Sequence, residues 1–123
     1  SVDIVPTLLT LAEKDIPANL DGRVLPGFGG KEDFQRSIFA LEAKENSAFQ
    51  PLTTATMALM KEGHKLIYYT GYPQYPEVFE LYNLNEDIEE TKDLFLEDTV
   101  TAARMKEELL DTLATANRPF TTK

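Results

Sequence analysis

The spacing of apolar and polar residues changes period along this chain, and the changes mark out its elements. Near the amino terminus Ile4, Leu8 and Leu11 share one face at three- and four-residue steps, with Val5, Leu9 and Ala12 beside them. That spacing predicts an amphipathic helix of about three turns. Asp3 stands where an N-cap belongs, Pro6 falls in the first turn where a missing N–H costs nothing, and the helix ends before Pro17. From Ser37 the period shortens to two. Ser37-Ile38-Phe39-Ala40-Leu41-Glu42 is a short apolar run, and a polar loop follows over 43–50. Over 53–60, Thr54 and Thr56 alternate against Ala55, Met57 and Leu59. Lys65-Leu66-Ile67-Tyr68-Tyr69 has the side-chain types of a strand, and Val78, Glu80 and Tyr82 alternate with Phe79 and Leu81. Glu62-Gly63 supplies a turn, and Pro73 and Pro76 bracket a loop.

Three- and four-residue steps return at Ala102, Met105, Leu109, Leu113 and Ala116, with Asp98 or Thr99 as the cap and Pro119 following the end. Arg104, Glu107, Glu108 and Asp111 lie mainly off that stripe. Short connections imply antiparallel neighbours. The pattern predicts an α+β fold, a small antiparallel sheet of about four strands starting near Ile38, Thr53, Lys65 and Val78. The carboxyl-terminal helix packs on one face, and a short amino-terminal helix precedes the sheet. Residues 1–30 read as that helix plus a turn-rich connection, and residues 31–123 as the α+β subdomain.

Composition narrows the partners. A formal net charge of -9 sets the chain against nucleic acid and anionic membranes, whose phosphates repel such a surface. The absence of cysteine removes disulfides, thiolate zinc sites and a cysteine nucleophile from these 123 residues. No apolar run approaches the roughly 20 residues of a membrane span, and no signal peptide is visible. An opening on Ser1-Val2-Asp3 without an initiator Met fits an excised fragment or a processed chain.

Three stretches invite chemistry. Asn83, Asn85 and Asp87 occupy the first, third and fifth places of an EF-hand-like loop, but its sixth and twelfth places hold Ile88 and Leu94 where Gly and Glu are needed. A solvated acidic turn is the better reading. Gly27-Phe28-Gly29-Gly30 suggests a phosphate cradle, yet Gly30-Lys31 is followed by Glu32 rather than Ser or Thr, and no strand precedes it. A surface connection fits better. His64 is the only histidine, so a Ser-His-Asp arrangement could use no other residue. Beside a hairpin turn it reads as a surface or strand-end residue. The chain therefore offers no catalytic residue and no metal site, and its substrate-binding residues stay unknown at this level.

The order of several motifs carries a resemblance. Val2-Asp3-Ile4-Val5-Pro6-Thr7-Leu8-Leu9 is followed by Asp21-Gly22-Arg23-Val24-Leu25-Pro26, then His64-Lys65-Leu66-Ile67, then Glu80-Leu81-Tyr82-Asn83-Leu84 running into Asn85-Glu86-Asp87 and on to Asp93-Leu94. This resembles the carboxyl-terminal part of sulfatases, in the alkaline phosphatase superfamily, which reads v-D-i-x-P-T-l-l, d-G-x-S-L-x-P, y-K-L-I and E-L-Y-D-L followed by N-D-P-x-E-x-x-N-L. The departures are Val24 for Ser, His64 for an aromatic, Asn83 for Asp, Ile88 for Pro and Asp93 for Asn. The resemblance implies a parent enzyme that hydrolyses sulfuric esters with a formylglycine, made from the Cys or Ser of C/S-x-P-x-R, and with calcium. It places that motif and most metal ligands upstream of this segment. The chain holds no such motif, and Ser1, Ser37 and Ser47 lack its context. The chain is thus expected to be inactive alone, to buttress a missing amino-terminal catalytic domain and to wall its substrate pocket. Ile4, Leu8 and Leu11 are expected to pack partly on that missing domain, so that in its absence the segment either self-associates or is locally mobile. A periplasmic, secreted or lysosomal parent would suit the family. The alternatives are the equivalent part of a related phosphodiesterase or phosphotransferase, and an independent protein-interaction module.

Overall fold

The computed structural model describes residues 2–121, and the chain divides into two units, Ser1–Phe34 and Gln35–Lys123. The second unit carries a four-stranded sheet. Its strands are β1 (Ile38–Ala43), β2 (Ala55–Lys61), β3 (His64–Thr70) and β4 (Val78–Asn83), in that spatial order, each antiparallel to the next. A meander is what short connections between alternating strands dictate. The tightest connection is Glu62-Gly63, both with positive φ (50° and 74°), the backbone of a type I′ turn whose twist matches its strands. Gly63 is also crowded: a Cβ there would lie 2.1 Å from the Asn85 amide nitrogen.

Alternation decides which side is dry. Ala55, Met57 and Leu59 of β2, Leu66 and Tyr68 of β3 and Leu81 of β4 face one way, and all are buried. Onto them comes α2 (Thr99–Thr121), which buries Ala102, Met105 and Leu109. Tyr68 stacks on Phe79 at 4.2 Å and Phe79 on Phe95 at 5.4 Å, with the Lys106 ammonium 4.5 Å from the Phe79 ring centre, closing the β4 side of this core. The α+β fold, the four strands and the helix on one face are as the sequence pattern predicts.

Polar clamps fix the helix to the sheet. Asp98 caps α2 by accepting the Thr101 amide at 3.1 Å. Glu108 receives the Ser37 hydroxyl just before β1 and the Lys61 ammonium at the end of β2 (2.9 Å). Arg104 pairs with Glu62 at 2.5 Å. Asn117 both accepts the Leu52 amide (2.8 Å) and donates to the Leu52 carbonyl (3.1 Å). That last clamp corrects one expectation. The helix does not stop before Pro119 but runs through it to Thr121. Proline's fixed φ is itself helical; its cost is one hydrogen bond in the last turn, where carbonyls turn to solvent anyway.

The two sheet edges are treated differently. On β4, Asp93 accepts the Leu81 amide (2.9 Å) and the Leu94 amide donates to the Leu81 carbonyl (2.7 Å), so the following loop completes the ladder. On β1, Ile38, Phe39 and Leu41 are exposed.

The first unit is built around a clasp. α1 (Ile4–Leu11) is shorter than the three turns expected, because it ends in a left-handed residue. Glu13 has φ 53°, its amide bonds to Thr10 and the Lys14 amide to Leu9, the paired bonds of a Schellman ending. Asp3 is not a side-chain cap either. Its carboxylate accepts the Arg23 amide at 2.8 Å, while Thr7 donates its hydroxyl to the Asp3 carbonyl (2.7 Å) and accepts the Leu25 amide (2.9 Å). A backbone amide distant in sequence outcompetes the local N–H groups for this carboxylate. Gly22 is needed where the two segments meet, since a Cβ there would stand 2.0 Å from the Val2 carbonyl oxygen. Asp3, Pro6 and Thr7 are buried, while Ile4, Val5, Leu8 and Leu11 are each more than half exposed.

Two substitutions test the one-sided core. Leu109→Ala is expected to cost about 2–5 kcal/mol in denaturant unfolding with an unchanged slope, because the cavity is enclosed on all sides. Leu41→Ala on the open edge is expected to stay within about 0.5 kcal/mol of the parent chain.

Candidate functional site

The stretches that invite chemistry in the sequence are committed to holding backbone. In the acidic turn Asn83 accepts the Asn85 amide (3.1 Å), and the Leu84 amide donates to the Gly63 carbonyl (2.8 Å). Asp87 takes the amides of Thr91 and Lys92, both at 2.8 Å, and the Thr91 hydroxyl at 3.0 Å. Those backbone donors, Thr91 first and then Lys92, hold its carboxyl below the usual carboxylate range. Among the described residues, no group of three His, Cys, Asp or Glu side chains is arranged to hold a metal ion. In the glycine-rich turn the amides of Phe28 and Gly30 both point to the Leu25 carbonyl (3.1 and 3.2 Å). His64 sits opposite Asn83 at the strand end, its Nδ1 3.1 Å from the Glu62 carbonyl. Ser37 is bonded to Glu108, whose carboxyl is lowered by that hydroxyl first and by Lys61 next. Apart from the pairing of His64 with Asn83, the structure does not gather these residues into one site.

The sheet face turned away from α2 has a different character. Its register places Thr56, Ala58 and Met60 of β2 beside Tyr69, Ile67 and Lys65 of β3, and these beside Val78, Glu80 and Tyr82 of β4. Where β3 leaves the sheet, the turn carrying Tyr72, Pro73 and Tyr75 rises beside this face. Together they line a cleft of about 410 Å³ formed by Thr56, Tyr69, Tyr72, Tyr75, Pro76, Val78 and Glu80. A smaller recess of about 230 Å³ adjoins it, sharing Tyr72 and Tyr75 and adding Pro73 and Gln74. The polar ends of the rings are anchored. Tyr72 and Thr56 share a hydrogen bond of 2.8 Å between their hydroxyls, and Tyr69 (3.3 Å) and Tyr82 (3.1 Å) both donate to Glu80 Oε2. Tyr82 is pushed up to about 12, by burial first and then by its bond to Glu80 and that carboxylate's charge. Tyr69 is raised as well, by burial first, then by the charge of Glu80 and its hydrogen bond to that carboxylate.

Periodicity does not announce this cleft, because its residues come from three strands and a loop. One signal was available: all five tyrosines of the chain, Tyr68, Tyr69, Tyr72, Tyr75 and Tyr82, fall within one short stretch, interleaved with two prolines.

With this geometry in hand, the fold can be set beside solved structures. A candidate sulfatase from Bacteroides thetaiotaomicron VPI-5482 matches with a TM-score of 0.63 and 24% identity over 94% of this chain. A 2-O GAG sulfatase matches with a TM-score of 0.64 and 24% identity over 94%. A protein solved with its substrate D-glucosamine-2-N,6-O-disulfate matches with 0.58 and 18% identity over 95%. The chain spans 24% of the length of each. It resembles a sulfatase carboxyl-terminal segment. No protein-family model matches the chain, and no curated protein matches it significantly.

The resemblance motifs now acquire physical roles. Asp3 and Thr7 of the first motif hold the amides of Arg23 and Leu25 in the second. Asp93 and Leu94, at the end of the last motif, complete the ladder of Leu81 at its start. The first two motifs are thus the two halves of one backbone clasp, and the last motif closes a second clasp on itself.

The raised tyrosines have a signed consequence. Tyr82 ionises at about 12 in the folded chain against 10.0 ordinarily, so the stability it contributes is complete below pH 10 and is lost as pH rises from 10 toward 12. The denaturation midpoint is expected to fall across that interval. Ultraviolet titration should show one phenol ionising near pH 12, and Glu80→Gln should move it downward.

Proposed function

We propose that this chain is the carboxyl-terminal subdomain of a sulfatase-like hydrolase, which buttresses the catalytic domain and walls part of its substrate pocket. The observation that carries this reading is the fold match, which accounts for 94% of the chain and 24% of the neighbours. A piece of that size, matched nearly end to end, is an accessory part of a larger catalytic body. The exposed stripe of Ile4, Val5, Leu8 and Leu11 supports it, because apolar surface of that kind is a docking face for a catalytic domain. The solved neighbours that are named for their chemistry are named as sulfatases, which favours a sulfuryl over a phosphoryl group as the one transferred, with the alcohol as leaving group.

The division of labour follows from what the residues fit. Sulfate-ester cleavage in such enzymes needs an activated nucleophile and a divalent cation to neutralise the sulfate oxygens. The side chains here suit neither. Ser37 is tied to Glu108, and no acidic group of the required size gathers among the described residues. On this reading, as the resemblance implies, nucleophile and calcium belong to an upstream domain, and this subdomain contributes surface and rigidity.

The test is direct. The purified chain, incubated with an aryl sulfate and calcium, is expected to show no turnover above a heat-killed control, since removing a catalytic constellation forfeits many orders of magnitude in rate. The protein extended upstream through a C/S-x-P-x-R motif is expected to turn the same substrate over. Turnover by the chain alone that chelation abolishes would overturn the assignment, as would an extended protein that cleaves aryl phosphodiesters and leaves aryl sulfates intact.

A further inference from the structure

The tyrosine cleft has a chemistry of its own, independent of the sulfatase reading. Three aromatic rings, Tyr69, Tyr72 and Tyr75, line it together with one hydroxyl, Thr56, and one carboxylate, Glu80. Neither it nor the adjoining recess has a Lys or Arg in its lining. Ligand sites of this size combine apolar and aromatic walls with a few placed polar groups. The absence of cations removes phosphate, sulfate and carboxylate ligands, which Glu80 and the net charge of -9 would repel. The hydroxyls of Thr56 and Tyr72 satisfy each other and Tyr69 is satisfied by Glu80 Oε2, but an aliphatic ligand would strip water from Glu80 Oε1 without replacing it, at a cost of about 1–3 kcal/mol or more for a charged group. What remains is a ligand with apolar faces and a rim of hydroxyls.

We propose that this cleft binds an uncharged pyranose, its ring face on a tyrosine and its hydroxyls on Glu80 and Thr56. Both tyrosine bonds to Glu80 fall on Oε2, which leaves Oε1 to accept ligand hydroxyls. The anchoring of Tyr72 on Thr56 and of Tyr69 on Glu80 restrains the rings before a ligand arrives, so little side-chain entropy is lost on binding. Tyr72 and Tyr75 stand between the cleft and the recess, so two consecutive rings of a neutral disaccharide can lie on either side of them.

The experiment uses the full chain and saturation-transfer NMR, with cellobiose, glucose 6-sulfate and tetramethylammonium as probes. Cellobiose is expected to receive saturation at millimolar concentration, and the chain's tyrosine fluorescence to change with it, there being no tryptophan to mask the signal. Tyr75 is 76% exposed, so Tyr75→Ala leaves the fold intact and is expected to weaken cellobiose about tenfold, the scale of one lost ring contact. Glu80→Gln is expected to retain cellobiose and to admit glucose 6-sulfate, a change of selectivity that a merely structural role would not produce. The proposal is overturned if cellobiose shows no saturable transfer, if Tyr75→Ala leaves its binding unchanged, or if the unaltered chain takes glucose 6-sulfate as well as cellobiose. Tighter binding of tetramethylammonium, lost in Glu80→Gln, would overturn it in favour of a cation site. Catalysis enters none of these readouts, so failure here leaves the sulfatase-subdomain reading standing.

Discussion

The seating of Met105 and Leu109 on Leu59, Leu66 and Leu81 is the contact on which the second unit depends. These five side chains are fully buried, and they join the helix to three strands at once. A four-stranded meander without a covering layer would expose one apolar face to water, and a lone amphipathic helix has no stable partner. Each needs the other. The polar clamps through Glu108, Arg104 and Asn117 do not replace this burial; they set the position of the helix on a face it is already driven to cover.

One consequence is that the opposite face of the sheet is free to serve something else. Its residues follow from the alternation that fills the core: Leu66 and Tyr68 inward place Ile67 and Tyr69 outward, and Leu81 inward places Glu80 and Tyr82 outward. Because β4 hands its open edge to Asp93 and Leu94, the strand bearing Glu80 is held on both sides and presents that carboxylate from a fixed backbone. The first unit follows a comparable logic in miniature. Asp3 and Thr7 secure the returning segment, Pro6 is buried beneath it, and the apolar stripe of α1 is left facing outward. The first unit thus has a clasp on one side of α1 and exposed apolar surface on the other.

Much of this was readable in the chain. Periodicity places strands near Ile38, Thr53, Lys65 and Val78, within two residues of where they begin, and the stripe from Ala102 through Leu109, because burial on one face is what produces periodicity. Errors arose where a long-range bond outweighed a local rule. Asp3 looked like a cap and was claimed by the Arg23 amide; Pro119 looked like a terminator and was carried within a helix anchored by Asn117. The helix end at Glu13 was hidden because a glutamate adopts the left-handed conformation more often seen in glycine. The cleft escaped for another reason. Thr56, Tyr69, Tyr75 and Glu80 are adjacent only after three strands pair in one register, and no spacing in the sequence encodes that.

The helix-backed sheet buries its own apolar face, whereas the apolar stripe of α1 stays exposed. Amide hydrogen exchange on the isolated chain, at a dilution where sedimentation reports a monomer, tests this difference most directly. Amides of β2 and β3 are expected to exchange only through global unfolding, while those of α1 exchange faster through local opening, because its apolar stripe has no covering layer. Protection of residues 4–11 equal to that of β2 in a strict monomer would contradict the account.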